Sequence, residues 1–308
     1  MEKGKIFTNC FSAVFAILAI ASFASCSADS DSASSIDTNK IAQDIEAPFS
    51  VVLKAYSDSQ DITSRGDVDN TTLFVFDQNN DFCKQMTVDR TYLLQAKPIE
   101  ISCPNTKKIT VVAWAGVSNE NSEISSMSQA NIISDLQVSL KQNNGVASAL
   151  PGDLFYGQAT INRPATKSAA QELKIERKVS SVSLLTKGVL KMYDSKEGNY
   201  FYKIKGTKGT INYNGESTGS EVEYIVPATI NNEGNLVAQK TPVFSASNIV
   251  IELYKDNKMV LSSENCKNAE KVAVNAGEQV IFTFDLSRNN MSFTVADWGS
   301  VVYNVTVG

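Results

Sequence analysis

From Ala47 onward the chain is written in short runs of β-branched and aromatic residues, split by Gly, Asn, Asp and Ser. This confines it to β-structure, because such side chains suit a pleated surface and lose rotamer freedom in a helix. The runs are Phe49–Tyr56, Leu73–Phe76, Ile109–Trp114, Val179–Leu185, Tyr200–Ile204, Ile249–Tyr254 and Val280–Leu286. In the last of them Val280, Phe282, Phe284 and Leu286 recur at period two, so one face belongs to a core. Ile109–Trp114 is apolar on both faces, as a central strand of a sandwich would be. Turn signals are dense, among them Asp77–Asp81, Ser195–Asn199, Asn214-Gly215, Asn232–Gly234 and Asn275–Gly277. One segment differs. Ile124, Met127, Ile133, Leu136 and Leu140 approximate helical spacing and predict one short helix over 124–140. The fold class is therefore all-β with one short helix.

At 308 residues the chain is too long for one ordinary sandwich of roughly 100–150 residues. The stretch 162–171 is polar, holds Pro164 and has no period. It reads as an interdomain linker or a strand-to-strand crossing. The division expected is an N-terminal sandwich over 47–162, a linker over 163–171 and a C-terminal sandwich over 172–308.

The first residues read as an address. Lys3 and Lys5 precede an apolar run from Ala13 to Ala21, followed by Ser22-Phe23-Ala24-Ser25-Cys26. This is the layout of a secretory signal. The run is shorter than the about 20 residues that span a bilayer. The cysteine behind small residues resembles a bacterial lipobox, with Phe23 where an aliphatic residue is usual. That likeness implies a signal peptide over 1–25 and an acylated Cys26 as the mature N-terminus. Two or more acyl chains hold a protein on a membrane stably. Residues 26–46 are then a polar, acidic tether with little to bury. Acidic residues behind the lipidated cysteine also resemble the surface-export signal of Bacteroidetes lipoproteins.

Several kinds of chemistry are excluded. The chain has no histidine, which removes Ser-His-Asp and Cys-His catalytic systems and the His-bearing zinc and iron sites. A net charge of −5 argues against a nucleic-acid footprint. Asp77-x-Asn79-x-Asp81 opens like a calcium loop, but Phe82 stands where Gly is needed and Val88 where Glu is needed. A hairpin turn is the better reading. Glu221 and Glu223, two apart on one strand face, read as a solvated pair rather than glycosidase carboxylates. Arg65-Gly66-Asp67 reads as a polar loop. Trp114 reads as core, and Trp298 as packing in preference to a ligand platform. Beyond Cys26, the cysteines of the mature chain are Cys83, Cys103 and Cys266, with no CxxC spacing. Cys83 and Cys103 could lie on neighbouring strands and join as a disulfide. The preferred reading is buried free thiols. No metal, no cofactor and no enzymatic activity are expected.

The order of several pieces resembles the fimbrillin superfamily of Bacteroidales, and within it the fimbrial anchor subunits of the FimB type. The pieces are the lipobox cysteine with its tether, Ser50–Tyr56, Leu73–Asp77 with its Asn-rich turn and Phe82, Ile109–Gly116, Asp153–Gly157, and the Arg-bearing strand Leu173–Val179. The resemblance implies two transthyretin-like sandwiches in tandem and a lipid-anchored, non-enzymatic subunit of a surface fimbria. Other fimbrial subunits would be its partners and the outer membrane its location. It also implies two further sites. Arg65, the first arginine of the mature chain, matches the position where stalk subunits are cut behind their first strand. The alternating Val301, Tyr303, Val305 and Val307 would form a strand that pairs with another subunit, or an edge strand of its own domain. The rival readings are a stalk or tip subunit, a surface glycan-binding lipoprotein using Trp298, and a carboxylate glycosidase.

Overall fold

The structure is a computed structural model that describes residues 46–299, apart from 119, 121, 167 and 194–196. Strand β1 (Phe49–Ser57) alternates in burial without a break, with Phe49, Val51, Leu53 and Ala55 turned inward. Asp58 and Ser59, both at positive φ, return the chain as β2 (Gln60–Asp61). β3 (Asn70–Phe76) and β4 (Phe82–Asp89) form a hairpin. Its turn is organised by the Asp77 carboxylate, which accepts from the backbone N–H of Asn79 at 2.7 Å and of Asp81 at 3.0 Å. The Asp77–Asp81 segment is thus an Asx-type hairpin turn. A five-residue helix, α1 (Arg90–Leu94), follows, with the Asp89 side chain as its cap. β5 (Ile99–Ile101) and β6 (Lys108–Ala115) come next.

The segment 124–140 is not the expected helix. It contributes β7 (Ser122–Ile124) and β8 (Gln137–Leu140), which pair antiparallel across a 3-10 turn at Ile133–Asp135. Leu136, Val138 and Leu140 are buried at period two. The helical spacing arises because Met127 of the loop and the buried Ile133 of the turn fall out of phase with the strand positions. After the short β9 (Gln142–Asn143) and β10 (Val146–Ala147), the chain runs through β11 (Phe155–Asn162) and β12 (Gln171–Arg177).

The remaining strands are β13 (Val179–Lys187), β14 (Tyr200–Asn212), β15 (Ser217–Ile230), β16 (Leu236–Ala238), β17 (Thr241–Phe244), β18 (Val250–Lys255), β19 (Lys258–Ser262), β20 (Glu278–Asp285) and β21 (Asn290–Asp297). A second short helix, α2 (Val189–Tyr193), lies between β13 and β14. The first sheet has the order β2-β1-β12-β11-β6-β3-β4, with β5 beside β1. The second runs β19-β18-β14-β15-β16-β13-β20-β21, with β17 on β13, β8 on β14 and β10 on β15. The architecture is all-β, with two large sheets in tandem.

The sheets do not divide at the polar stretch 163–171. That stretch is a crossing from β11 to β12, and both strands belong to the first sheet. β12 runs parallel to β1 from Val51↔Gln171 to Tyr56↔Glu176. The change of sheet falls at Lys178, between β12 and β13. Strands β7 to β10, earlier in the chain, pair with the second sheet. A polar run without period marks a surface connection. It carries no information about which sheet receives its flanks.

β6 explains why Ile109–Trp114 is apolar throughout. Ile109, Val111 and Ala113 join one core with Leu53, Leu73, Val75, Phe155 and Leu173. Val112 and Trp114 join Phe74, Phe76 and Tyr156 in a second core, which they share with Val182, Tyr202, Tyr224 and Phe282 of the second sheet.

Cys83 and Cys103 form a disulfide, with Cα atoms 6.4 Å apart, in place of the free thiols preferred from the sequence. The reason lies in the topology. Cys83 is on β4, the far edge of the first sheet, and Cys103 follows β5 at the other end of the strand order. The sheet rolls over its own core and brings the two ends together, which no local sequence signal records. Cys266 is a buried free thiol.

Two outcomes follow. Replacing Cys83 and Cys103 together by Ala should lower the unfolding free energy by about 2–4 kcal/mol in non-reducing urea titrations. At Gly157 an added Cβ would run into the Lys174 carbonyl oxygen. Gly157→Ala should therefore cost about 3 kcal/mol, whereas Gly145→Ala, at φ 80° with open space around it, should cost only about 1 kcal/mol.

Candidate functional site

The inward row of β12 is Leu173, Ile175 and Arg177, so an arginine takes a core position. A buried guanidinium is tolerated only where its donors are met. Here they are. Arg177 Nε donates to Asp153 Oδ1 at 2.6 Å and Nη2 to Asp153 Oδ2 at 2.7 Å, a two-pronged fork. Nη1 donates to Ser57 Oγ at 2.7 Å. The Asp67 carboxylate stands 3.6 Å from Nη2. The Phe155 ring lies 4.8 Å and the Trp298 ring 4.5 Å from the guanidinium carbon. This one side chain thus ties together the end of β1, the loop behind β2, the approach to β11 and the residue after β21. Lys240 is 5.0 Å from the Trp298 ring, and burial, then the repulsion of Arg177, lowers its pKa from the ordinary lysine value.

Beside this junction is a recess of about 210 Å³, lined by Ser57, Gln60, Arg65, Gly277, Asp297 and Trp298 among others. Arg65 ends an exposed 3-10 turn, Thr63–Arg65, and Gly66 behind it takes φ 73°. The structure thereby brings Arg65 and Trp298, far apart in sequence, to one recess. Cys26, Val301, Tyr303, Val305 and Val307 lie outside the described residues.

The start of β1 has its own clamp. Arg163 donates to the carbonyls of Cys103 at 2.6 Å, Thr106 at 2.7 Å and Ala47 at 2.8 Å. It also pairs with Glu46 at 3.0 Å and lies 4.4 Å from the centre of the Phe49 ring. Between Arg163 at one end and Arg177 at the other, β1 is flanked by β12 on one side and by β5 and β2 on the other.

Comparison with known sequences is decisive at this point. The sequence profile of the fimbrillin-A associated anchor proteins Mfa1 and Mfa2 matches residues 40–304. The chain belongs to that family. It is 24% identical over 267 residues to the major fimbrium anchoring subunit FimB of Porphyromonas gingivalis, covering 82% of this chain and 86% of the relative. Among solved structures, it resembles the fimbrial anchor protein Mfa2 of Porphyromonas gingivalis, with TM-score 0.58 and 11% identity over 82% of this chain and 97% of that one. It also resembles a proposed polysaccharide-binding protein of Bacteroides thetaiotaomicron, with TM-score 0.63 and 17% identity over 84% and 99% of the two chains. At these identities the two structures show a shared fold alone.

The other candidates from the sequence resolve as structural residues of this anchor-family chain. Trp114 is buried against Tyr156, with ring centres 4.8 Å apart. Glu223 pairs with Lys203 at 2.7 Å and Glu221 with Lys208 at 3.7 Å, so the two carboxylates serve cross-strand ion pairs. The Trp298 ring is engaged by two cations and is not an open platform. Asp67 of the Arg-Gly-Asp triplet faces Arg177. The sequence reading missed the partnership of Arg177 with Asp153. The signal was present, because Arg177 falls in phase with Leu173 and Ile175. Arg163 gave no such signal, since it sits among polar residues next to Pro164.

Removing one partner of the buried fork leaves the other unpaired. Arg177→Ala or Asp153→Ala should each lower stability by about 3–5 kcal/mol. Arg177→Lys should recover only part of that, because an ammonium cannot make the fork. The double variant should lose clearly less than the summed single losses, as read by urea unfolding followed through tryptophan fluorescence.

Proposed function

We propose that this protein is the lipid-held anchor of a surface fimbria, attached to the outer membrane through Cys26 and joined to other fimbrial subunits by β-strand addition. The observation that carries the reading is the match to the anchor-protein family over residues 40–304. The residues around Cys26 supply the attachment. The polar 26–46 segment would be the tether.

The state of β1 supports an anchor over a stalk. Strand addition needs either an open edge or a groove left by a departing strand. β1 is an inner strand with four fully inward side chains, held at both ends by buried or half-buried arginines. An anchor keeps this strand, so Arg65, although exposed, is expected to remain uncut. A stalk or tip role would instead require a cut there and the loss of β1.

Among the described residues, an open edge is available elsewhere. β19 is guarded by Lys258 and an irregular register, and β4 by Lys84, an irregular register and the disulfide. β21 pairs regularly with β20 from Glu278↔Asp297 to Asp285↔Asn290 and carries no lysine, proline or bulge. The alternating Val301, Tyr303, Val305 and Val307 follow it in sequence and are proposed as the pairing strand.

Cys26→Ala should abolish palmitate incorporation and shed fibres into the medium, and normally attached fibres on such cells would overturn the anchor reading. Mass analysis of the mature protein should show residues 26–65 still joined to the rest. Truncation after Ser300 should reduce incorporation into fibres without changing lipidation.

A further inference from the structure

Among the described residues β21 pairs with β20 alone, so its other side is a sheet edge. Successive residues of a strand point their backbone N–H and C=O groups to alternate sides. Trp298 fixes the phase here, because its N–H donates toward the β20 side, to Gly277 O at 2.9 Å. Met291, Phe293, Val295 and Asp297 therefore aim their backbone groups at the edge.

At Met291 that edge is already taken. The Met291 N–H donates to Asn268 Oδ1 at 2.9 Å, and Asn268 Nδ2 donates back to the Met291 carbonyl. The side-chain amide thus stands where the backbone of a neighbouring strand would stand. The loop that presents it is fixed. Cys266 is buried in the core, Lys267 N–H donates to Asn289 O at 2.9 Å, and Asn289 Nδ2 donates to Asn265 O at 3.1 Å. Beyond Met291 the situation changes. Among the described residues, nothing meets the outward backbone groups of Phe293 or Val295.

The side chains change at the same place. Met291, Phe293 and Val295 lie opposite Phe284, Phe282 and Val280, which are fully buried, so the row faces the core. Met291 is 2% exposed, Phe293 is partly buried and Val295 is 47% exposed. The core is closed beside Asn268 and uncovered at the far end of the strand. Free backbone groups and an uncovered apolar side chain thus coincide over 293–297. An extended polypeptide satisfies both, because its backbone meets the edge and its alternate side chains cover the valine.

We propose that Asn268 is the register stop of this edge. A strand from a neighbouring subunit pairs with Phe293 to Asp297 and ends against the Asn268 amide. This rests on the reading that fibre subunits join by strand addition. The stop holds because running past it brings no gain. An incoming strand would replace two hydrogen bonds of Met291 with two of its own, and would also have to push aside the 265–268 loop. Fixing one end of the pairing matters, because a slip of one residue turns every side chain of the added strand to the wrong face.

The test follows amide hydrogen exchange by mass spectrometry with fragmentation to single residues. The full-length lipidated protein in detergent is compared free and bound to fimbriae sheared from the same cells. In the free protein the Met291 amide should be slow and those of Phe293 and Val295 fast. Fimbriae should slow Phe293, Val295 and Asp297 by about tenfold or more and leave Met291 as it was. In Asn268→Ala the Met291 amide should be fast in the free protein and slow again on binding, because the strand now runs on. A residue that only held its loop would not give Met291 a fibre-dependent protection. Asn268→Ser, too short to reach Met291, decides the matter if the alanine variant does not fold. If fimbriae bind wild type yet change none of these amides, the edge is not used and the proposal falls, while the Cys26→Ala test of the anchor reading stands. If binding slows Phe293 and Val295 but leaves Met291 fast in Asn268→Ala, Asn268 is not the stop. If Phe293 and Val295 are slow in the free protein and become fast on truncation after Ser300, the chain's own end covers the edge and the proposal is overturned. If wild type does not bind fimbriae at all, the anchor reading fails and the proposal fails with it.

Discussion

The fork between Arg177 and Asp153 sets conditions that the rest of the molecule must meet. A guanidinium at 3% exposure is costly to leave with an unmet donor, so the core around it closes only with its partners in place. Those partners come from positions 57, 67, 153, 155 and 298. Through Trp298 the fastening of the first sheet also touches the end of the second. Trp298 reaches Arg177 only if β20 and β21 are in place, and Ser57 reaches it only if β1 is. Gly116 reflects the same crowding. It sits at φ 75° with the Asp153 carbonyl where a side chain would begin, so the loop that presents Asp153 passes close against the end of β6. The shared core formed by Trp114, Tyr156 and the inner residues of the second sheet adds apolar contact to this polar fastening.

The strands were legible because burial on one face imposes period two, and the sequence obeys it wherever a strand has one wet face. Phe49–Tyr56 and Val280–Leu286 are of this kind. Ile109–Trp114 was legible for the opposite reason, since both faces of β6 meet a core. Legibility failed where the structure depends on something beyond the local period. The segment 124–140 mixes a 3-10 turn with strand positions and imitates a helix. The stretch 163–171 is a surface crossing, and its composition says nothing of where β12 will pair. The disulfide depends on the first sheet rolling until its two ends meet. At the candidate site, Arg177 was visible as an arginine in an inward register, but its partners were not, because four separate segments converge on it. Arg65 and Trp298 could each be singled out, yet only the fold brings them to one recess.

The treatment of β1 follows from the same fastening. Phe49, Val51 and Leu53 are completely buried, and each such side chain contributes roughly 1.5–3 kcal/mol. Arg163 and Arg177 add charged hydrogen bonds at the two ends of the strand, and these break when it departs. Releasing β1 would thus cost a large share of the stability of a typical domain, about 5–15 kcal/mol, unless another strand replaced it at once. A subunit that must end a fibre and hold it to a surface has no use for that exchange. On the proposed anchor reading it gains from a first strand that stays, because the proposed tether precedes that strand directly in sequence. A pull on the proposed tether would load β1 through Ala47 and Glu46, both of which Arg163 grips. Arg163 joins this end of β1 to the carbonyls of Cys103 and Thr106, and the disulfide joins Cys103 to β4.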